Sequence, residues 1–184
     1  AEGRRTMNRP ALRLNTGDIT QAAPGLRAGD RVLLSGAVYT ARDAAHKRFA
    51  ALLDAGEPLP IPRAGSVIYY AGPTQAPKGL VIGSCGPTTS SRMDPYTPRL
   101  LSLGLSGMIG KGARSREVAG AIAAAGAVYF CAIGGAGALY ARCVRECDVV
   151  AFDDLGCESV KRLLVEDFPV IVACDAAGND LYAR

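Results

Sequence analysis

The longest stretch of this sequence without a charged residue, Val118 to Ala141, has 24 residues, enough to cross a bilayer as one helix. Its composition argues against that. Ten of these residues are alanine and five are glycine, and the glycines at 120, 126, 134, 135 and 137 cut the run into short pieces. The pieces read as helix, turn, buried strand, glycine turn and helix. The same punctuation recurs through all 184 residues, which include 22 glycines and 11 prolines, so only short elements fit between the breakers. With 49% hydrophobic and 21% charged residues the chain can bury a core and is not disordered.

The elements alternate. Arg31 to Ser35, set between Gly29-Asp30 and Gly36, reads as a buried strand. Extended chain at Val38-Tyr39 leads to Thr40, placed as an N-cap three residues before Asp43, and the helix so started runs to about Ala55, with Gly56 at C′. Pro58, Pro60 and Pro62 make an extended connector. Ser66 to Ala71 reads as a strand that ends at Gly72-Pro73, and Leu80 to Ile82 as a second short one. A helix is expected to begin between Arg92 and Pro98 and to end near Gly104, followed by a strand over Gly107 to Gly110 and a helix capped by Ser115. Strand Ala127 to Ile133, helix Ala136 to Glu146 and strand Val149 to Phe152 follow. Arg162 to Val165 and Val170 to Cys174 read as two further strands, with a hairpin turn at 177–180 before Leu181-Tyr182. This βα rhythm, without internal repeat or interior linker, predicts a single α/β domain with a parallel or mixed sheet covered by helices.

Charge and cysteine usage narrow the function. Residues 1–6 precede Met7 and read as a remnant of an expression vector; without Glu2, Arg4 and Arg5 the formal net charge of +4 becomes +3. The remaining charge is dispersed, so the basic footprint of a nucleic-acid binder is missing, and the polar segment from Met7 to Asp18 does not read as a signal peptide. The six cysteines at 85, 131, 143, 147, 157 and 174 form no CxxC pair and read as reduced thiols of a cytoplasmic protein; Cys143 and Cys147 lie four apart on an expected helix, and Cys85 is the one expected nearest a ligand. His46 is the only histidine, which excludes a multi-histidine metal site within this chain.

Two segments carry candidate chemistry. Arg42-Asp43-Ala44-Ala45-His46-Lys47-Arg48 opens a helix, with 42 and 46 on one face and 43 and 47 on another. It reads either as a solvated face or as an anion site in which Arg42 adds a bidentate fork to a helix N-terminus. The loop Gly83-Ser84-Cys85-Gly86-Pro87-Thr88-Thr89-Ser90-Ser91-Arg92 lacks the spacing of a Walker A loop and reads either as a hydroxyl-rich turn or as a carboxylate site, since Thr88 and Arg92 lie one helical turn apart. Gly110-Lys111-Gly112 adds a flexible cation, and Gly134-Gly135-Ala136-Gly137-Ala138 reads as tight helix-to-strand packing.

In order along the chain, SGAVYTARDAAHKR (35–48), YYAGPT (69–74), GSCGPTTSSRMD (83–94), GKG (110–112), AIGGAGAL (132–139) and VEDFPVIVACDAAGND (165–180) resemble the β subunit of class I, iron-sulfur-dependent fumarate hydratase. The resemblance covers nearly everything from Thr16 onward. It implies that residues 16–184 form a swivelling β/β/α three-layer domain with a mixed sheet, preceded by an N-terminal segment over 1–15. It also implies a lyase of the tricarboxylic acid cycle that hydrates fumarate reversibly to (S)-malate. A 4Fe-4S cluster would be held by a separate α subunit in a heterodimer or heterotetramer, with no metal ligand in this chain, no nucleic acid and no membrane. On this resemblance Arg42, Arg92 and Lys111 bind the substrate carboxylates, Thr88 is the catalytic base, and Asp43 and His46 orient them. The chain alone is expected to be inactive. The β subunits of tartrate dehydratase and mesaconate hydratase are the neighbouring alternatives, and a non-catalytic dicarboxylate-binding module is the alternative of a different class.

Overall fold

The short runs Val67-Ile68-Tyr69, Met108-Ile109 and Val128-Tyr129-Phe130 are apolar at every position because both of their faces are buried. Successive side chains of a strand point to opposite faces, and here they enter two different cores. Val67, Tyr69, Ile109, Val128 and Phe130 join one, while Ile68, Met108 and Tyr129 join the other. A computed structural model describes residues 10–183. The expectation for residues 1–6 lies outside the described residues.

The strands are β1 (Leu12–Asn15), β2 (Arg31–Thr40), β3 (Val67–Tyr69), β4 (Gly107–Gly110), β5 (Val128–Cys131), β6 (Val144–Ala151) and β7 (Val160–Cys174). The helices are α1 (Ile19–Ala22), α2 (Asp43–Asp54), α3 (Thr97–Ser102), α4 (Arg116–Ala124) and α5 (Gly137–Arg142). All seven strands share one mixed sheet in the order β1-β2-β3-β4-β5-β7-β6. Neighbours from β1 to β5 are parallel, and β7 runs antiparallel to β5, β6 and β2. The β2–β7 pairing closes a ring of five strands: β2, β3, β4, β5 and β7. All five contribute to the inner core, for example through Leu34, Tyr69, Ile109, Phe130 and Phe168. The outer core packs Phe49 of α2, Leu100 of α3 and Ile122 of α4 against the outward residues. The single α/β unit with a mixed sheet follows the sequence rhythm; the ring closure goes beyond the three-layer description. No helix among the described residues is long and apolar enough to cross a membrane.

Several elements differ from expectation, each for a physical reason. Thr40 does not cap α2 but ends β2, where its hydroxyl accepts from Lys161 N at 3.0 Å and donates to Ser159 O at 3.3 Å; Arg42 occupies the N-cap position. The segment Leu80–Ile82 is loop, with Leu80 and Val81 exposed. The helix expected after Arg92 divides into a 3-10 turn over Ser90–Met93 and α3, with Pro95 between them. The helix expected to reach Glu146 ends at Arg142, so Cys147 lies on β6 and not on the same helix as Cys143. The two strands expected at 162–165 and 170–174 are one strand of 15 residues, bent by a bulge.

At that bulge Gly36 lies opposite Val165 and Leu34 opposite Phe168, so Glu166 and Asp167 together oppose Ser35. Asp167 adopts φ 51°, and its N–H bonds Ser35 Oγ at 3.0 Å. Gly36 does not end its strand; it takes φ 120°, and a Cβ there would lie 2.3 Å from Thr16 Oγ1. Gly36→Ala therefore combines backbone strain with a clash, and we expect a loss of about 2 kcal/mol or more in urea unfolding. An unchanged midpoint would contradict this role.

Candidate active site

Strands β2, β3, β4 and β5 are mutually parallel, so the segments that leave their carboxyl ends emerge on one side of the sheet. That is where parallel α/β sheets, open or closed into a barrel, bind ligands. Arg42 and Asp43 follow β2, Gly72 follows β3, Lys111 follows β4 and Gly134 follows β5.

The hydroxyl-rich loop is stitched onto this edge by backbone bonds. Thr88 N donates to Tyr70 O at 2.7 Å, Lys111 N to Thr88 O at 3.3 Å and Ser90 N to Lys111 O at 2.9 Å. The loop then turns through Ser90–Met93 and presents Arg92 to the start of α2. The Arg92 guanidinium donates from Nε to Asp43 Oδ1 at 2.9 Å and pairs through Nη2 with Oδ2 at 2.7 Å. Its remaining Nη1 reaches Thr88 Oγ1 at 3.4 Å. The two side chains are 49% and 36% exposed, so this pair adds little stability; its effect is to aim the fork.

Arg42 stands 3.3 Å from Glu158 Oε1 through its Nε, at ion-pair distance but without hydrogen-bond geometry. Its guanidinium lies across Gly72, where a Cβ would stand 3.0 Å from Nη1 and crowd it. The Lys111 side chain runs over Gly134 and has no carboxylate partner among the described residues. Thus Arg92 touches both Thr88 and Asp43, while Arg42 and Lys111 follow β2 and β4, the strands on either side of β3. Such a concentration of cations beside a hydroxyl suits a small dianion.

His46 is elsewhere. It is 0% exposed, beneath α2, with the rings of Phe49, Tyr70 and Tyr96 at 5.7, 5.5 and 5.7 Å. Its Nδ1 donates to Arg42 O at 2.8 Å, which leaves Nε2 as a buried acceptor without a partner. Burial brings its pKa down from 6.5 to about 4 against the raising effect of the Arg42 carbonyl, so the ring is neutral at pH 7. His46 holds the backbone of Arg42 from below and does not face the strand-end site. Cys85, expected nearest a ligand, is also buried, within the inner core, and burial pushes its thiol up to about 12. Gly137 packs tightly, but against the 84–86 loop and not a strand: a Cβ there would meet Ser84 Oγ at 2.2 Å.

Sequence reading missed Glu158 and Arg114. Glu158 lies 116 positions from Arg42, with nothing local to join them. Arg114 is buried, and its only hint was its place in the loop that carries Lys111.

A sequence model described as the fumarase C-terminus matches residues 2–184. The chain belongs to the fumarase C-terminus family. It is 42% identical over 158 residues to fumarate hydratase 2 of Leishmania major, a match that takes in 85% of this chain and 28% of that relative. It is 41% identical over 156 residues to the anaerobic class I fumarate hydratase of Escherichia coli K12, covering 84% of this chain and 28% of the relative. The chain thus spans somewhat more than a quarter of these fumarate hydratases. Another relative is close to this chain in extent: a Methanocaldococcus jannaschii protein provisionally named L(+)-tartrate dehydratase subunit beta is 41% identical over 163 residues, which cover 85% of this chain and 84% of that one.

The buried histidine of this family member makes a pH prediction. An unfolded chain protonates His46 near 6.5, whereas the folded one resists until about 4. The stabilisation is complete above 6.5 and is lost as the pH falls toward 4, because the unfolded state binds the proton first. Between pH 7 and pH 5 this group should cost about 2 kcal/mol of stability. Urea midpoints measured across that range should show the loss in the wild type and a flatter dependence in His46→Gln; equal slopes would contradict it.

Proposed function

We propose that this chain is the β subunit of a class I fumarate hydratase, a hydro-lyase that is active only with an α subunit carrying a 4Fe-4S cluster. What supports the reading best is that three segments distant in sequence place Arg42, the Thr88–Arg92 turn and Lys111 beyond the carboxyl ends of parallel strands. In this reading residues 16–184 are the swivelling β/β/α domain, whose strand-end edge turns toward the cluster-bearing subunit in a cytoplasmic heterodimer or heterotetramer. The six cysteines are all free, and among the described residues no group of three or more His, Cys, Asp or Glu could hold a metal ion. Among the described residues no set of side chains fits a cluster, and the proposal assigns it to the partner. When bound there, it supplies a Lewis acid for the leaving hydroxyl.

This chain's residues supply carboxylate binding and proton transfer. Arg42, Arg92 and Lys111 grip the two carboxylates of fumarate or malate. Removing the proton beside a carboxylate spreads negative charge onto it, and fixed cations there stabilise the transition state more than the ground state. In dehydration Thr88 Oγ, as the alkoxide, takes that proton and becomes the hydroxyl; in hydration the hydroxyl gives the proton back to carbon and the alkoxide is restored. An alcohol is a poor base unless its oxyanion is stabilised, and Arg92 Nη1 at 3.4 Å is the neighbour that does so. Asp43 keeps the Arg92 fork turned toward Thr88.

Thr88→Ala in the assembled heteromer should lower kcat by about a hundredfold or more with assembly intact. Arg92→Lys should lower kcat/KM by about tenfold or more, because a point charge replaces a fork. Anaerobic hydration of fumarate, followed by its absorbance, measures both. Full turnover in Thr88→Ala would remove Thr88 from the chemistry, and a variant that binds dicarboxylate as the wild type does, where neither turns over, would favour a non-catalytic binding module. The relation to the tartrate dehydratase subunit keeps one alternative substrate open: a cluster-loaded complex that dehydrates tartrate but leaves fumarate unchanged would move the assignment there.

A further inference from the structure

Arg114 is the most deeply buried cation in the loop that follows β4: its side chain is 0% exposed. A guanidinium taken out of water costs several kcal/mol unless every donor is matched. Here each is. Nε donates to Asp94 Oδ1 at 2.7 Å, Nη2 to Thr97 Oγ1 at 2.7 Å and Nη1 to Tyr70 OH at 3.3 Å. The rings of Tyr70 and Tyr129 flank it, with centroids 5.3 and 5.0 Å from Cζ.

The partners lie in two segments that the site must hold at a fixed spacing. Asp94 and Thr97 follow directly on the turn that carries Arg92, whereas Arg114 lies three residues beyond Lys111. Asp94 grips the second segment twice, since its Oδ2 accepts Ser115 N at 2.7 Å. Nearby, Tyr129 OH donates to Gly112 O at 2.7 Å and accepts from Ser90 Oγ at 2.8 Å, tying the same two segments again. They fit so closely at Gly110 that a Cβ would come within 2.0 Å of Ser90 Oγ.

We propose that Arg114, clamped to Asp94, is a positioning residue that sets the spacing between Lys111 and the Thr88–Arg92 turn. It touches no substrate, and its effect passes through those side chains. What the spacing serves rests on the functional reading above; the clamp itself does not. Lysine at 114 keeps the charge but cannot reach Asp94, Thr97 and Tyr70 together.

Amide hydrogen exchange on the full chain tests the clamp without any turnover. In Arg114→Lys, the amides of Thr88, Ser90, Lys111 and Ser115 should exchange about tenfold faster, while Phe130 and Val172 of the β5–β7 ladder keep their wild-type rates. A merely structural role would speed all of them together. In the heteromer, Arg114→Lys should also raise the KM for fumarate by about fivefold, a quantity that loss of folded protein leaves unmoved. Thr97→Val, which removes one acceptor and leaves the Asp94 pair, should give the same pattern at smaller size and serves if the lysine variant does not fold. Uniform acceleration, unchanged loop amides, or loosened loops with an unchanged KM would each overturn the proposal. If the wild-type heteromer turns over no dicarboxylate, the functional reading falls and the exchange pattern alone decides the clamp.

Discussion

Strand β7 pairs along one edge with β2 and along the other with β5 and β6, and this double pairing makes a ring out of a row of short parallel strands. Strands β3, β4 and β5 have only three or four residues each, too few to hold a sheet by their own ladders. Closed by β7, they bury both faces, one in a core fed by all five ring strands and the other under α2, α3 and α4. The bulge at Glu166-Asp167 lets fifteen residues curve round the ring without losing register on either side of it.

Closure has a consequence for chemistry. The parallel strands end together, so the segments that follow β2, β3 and β4 bring Arg42, the Thr88–Arg92 turn and Lys111 to one edge although the three segments are far apart in sequence. Cations crowded on one edge repel, and the fold answers with acids: Asp43 on Arg92 and Glu158 near Arg42. Lys111 is left without an acidic partner among the described residues. Beneath this edge, His46 stays neutral and Arg114 is held through all three of its nitrogens, so the support of the site does not compete for the ligand.

What was legible in the sequence is what local chemistry decides. The strand Gly107–Gly110 and the Ser115 cap lie where glycine and hydroxyl punctuation puts them, the cap bonding Val118 N at 3.2 Å. The ordered motifs carried the family and the candidate cations. Long-range pairing was not legible. Two acids and Pro169 in Glu166-Asp167-Phe168-Pro169 read as a break between strands, yet pairing on both sides makes the segment one strand with a bulge. Thr40 has a cap residue's chemistry, but its hydroxyl is claimed by Ser159 and Lys161, about 120 positions away. Burial of His46 and Arg114 was invisible for the same reason, since the groups that enclose them come from other elements.

The central claim is that this chain holds the carboxylate-binding half of an active site that another subunit completes. Anaerobic hydration of fumarate, assayed with this chain alone and then with a cluster-reconstituted α subunit from the same source, tests it most directly. The account predicts turnover in the mixture and none from the chain by itself. Turnover by the chain alone, or a stable cluster-loaded mixture that acts on none of fumarate, tartrate and mesaconate, would contradict it.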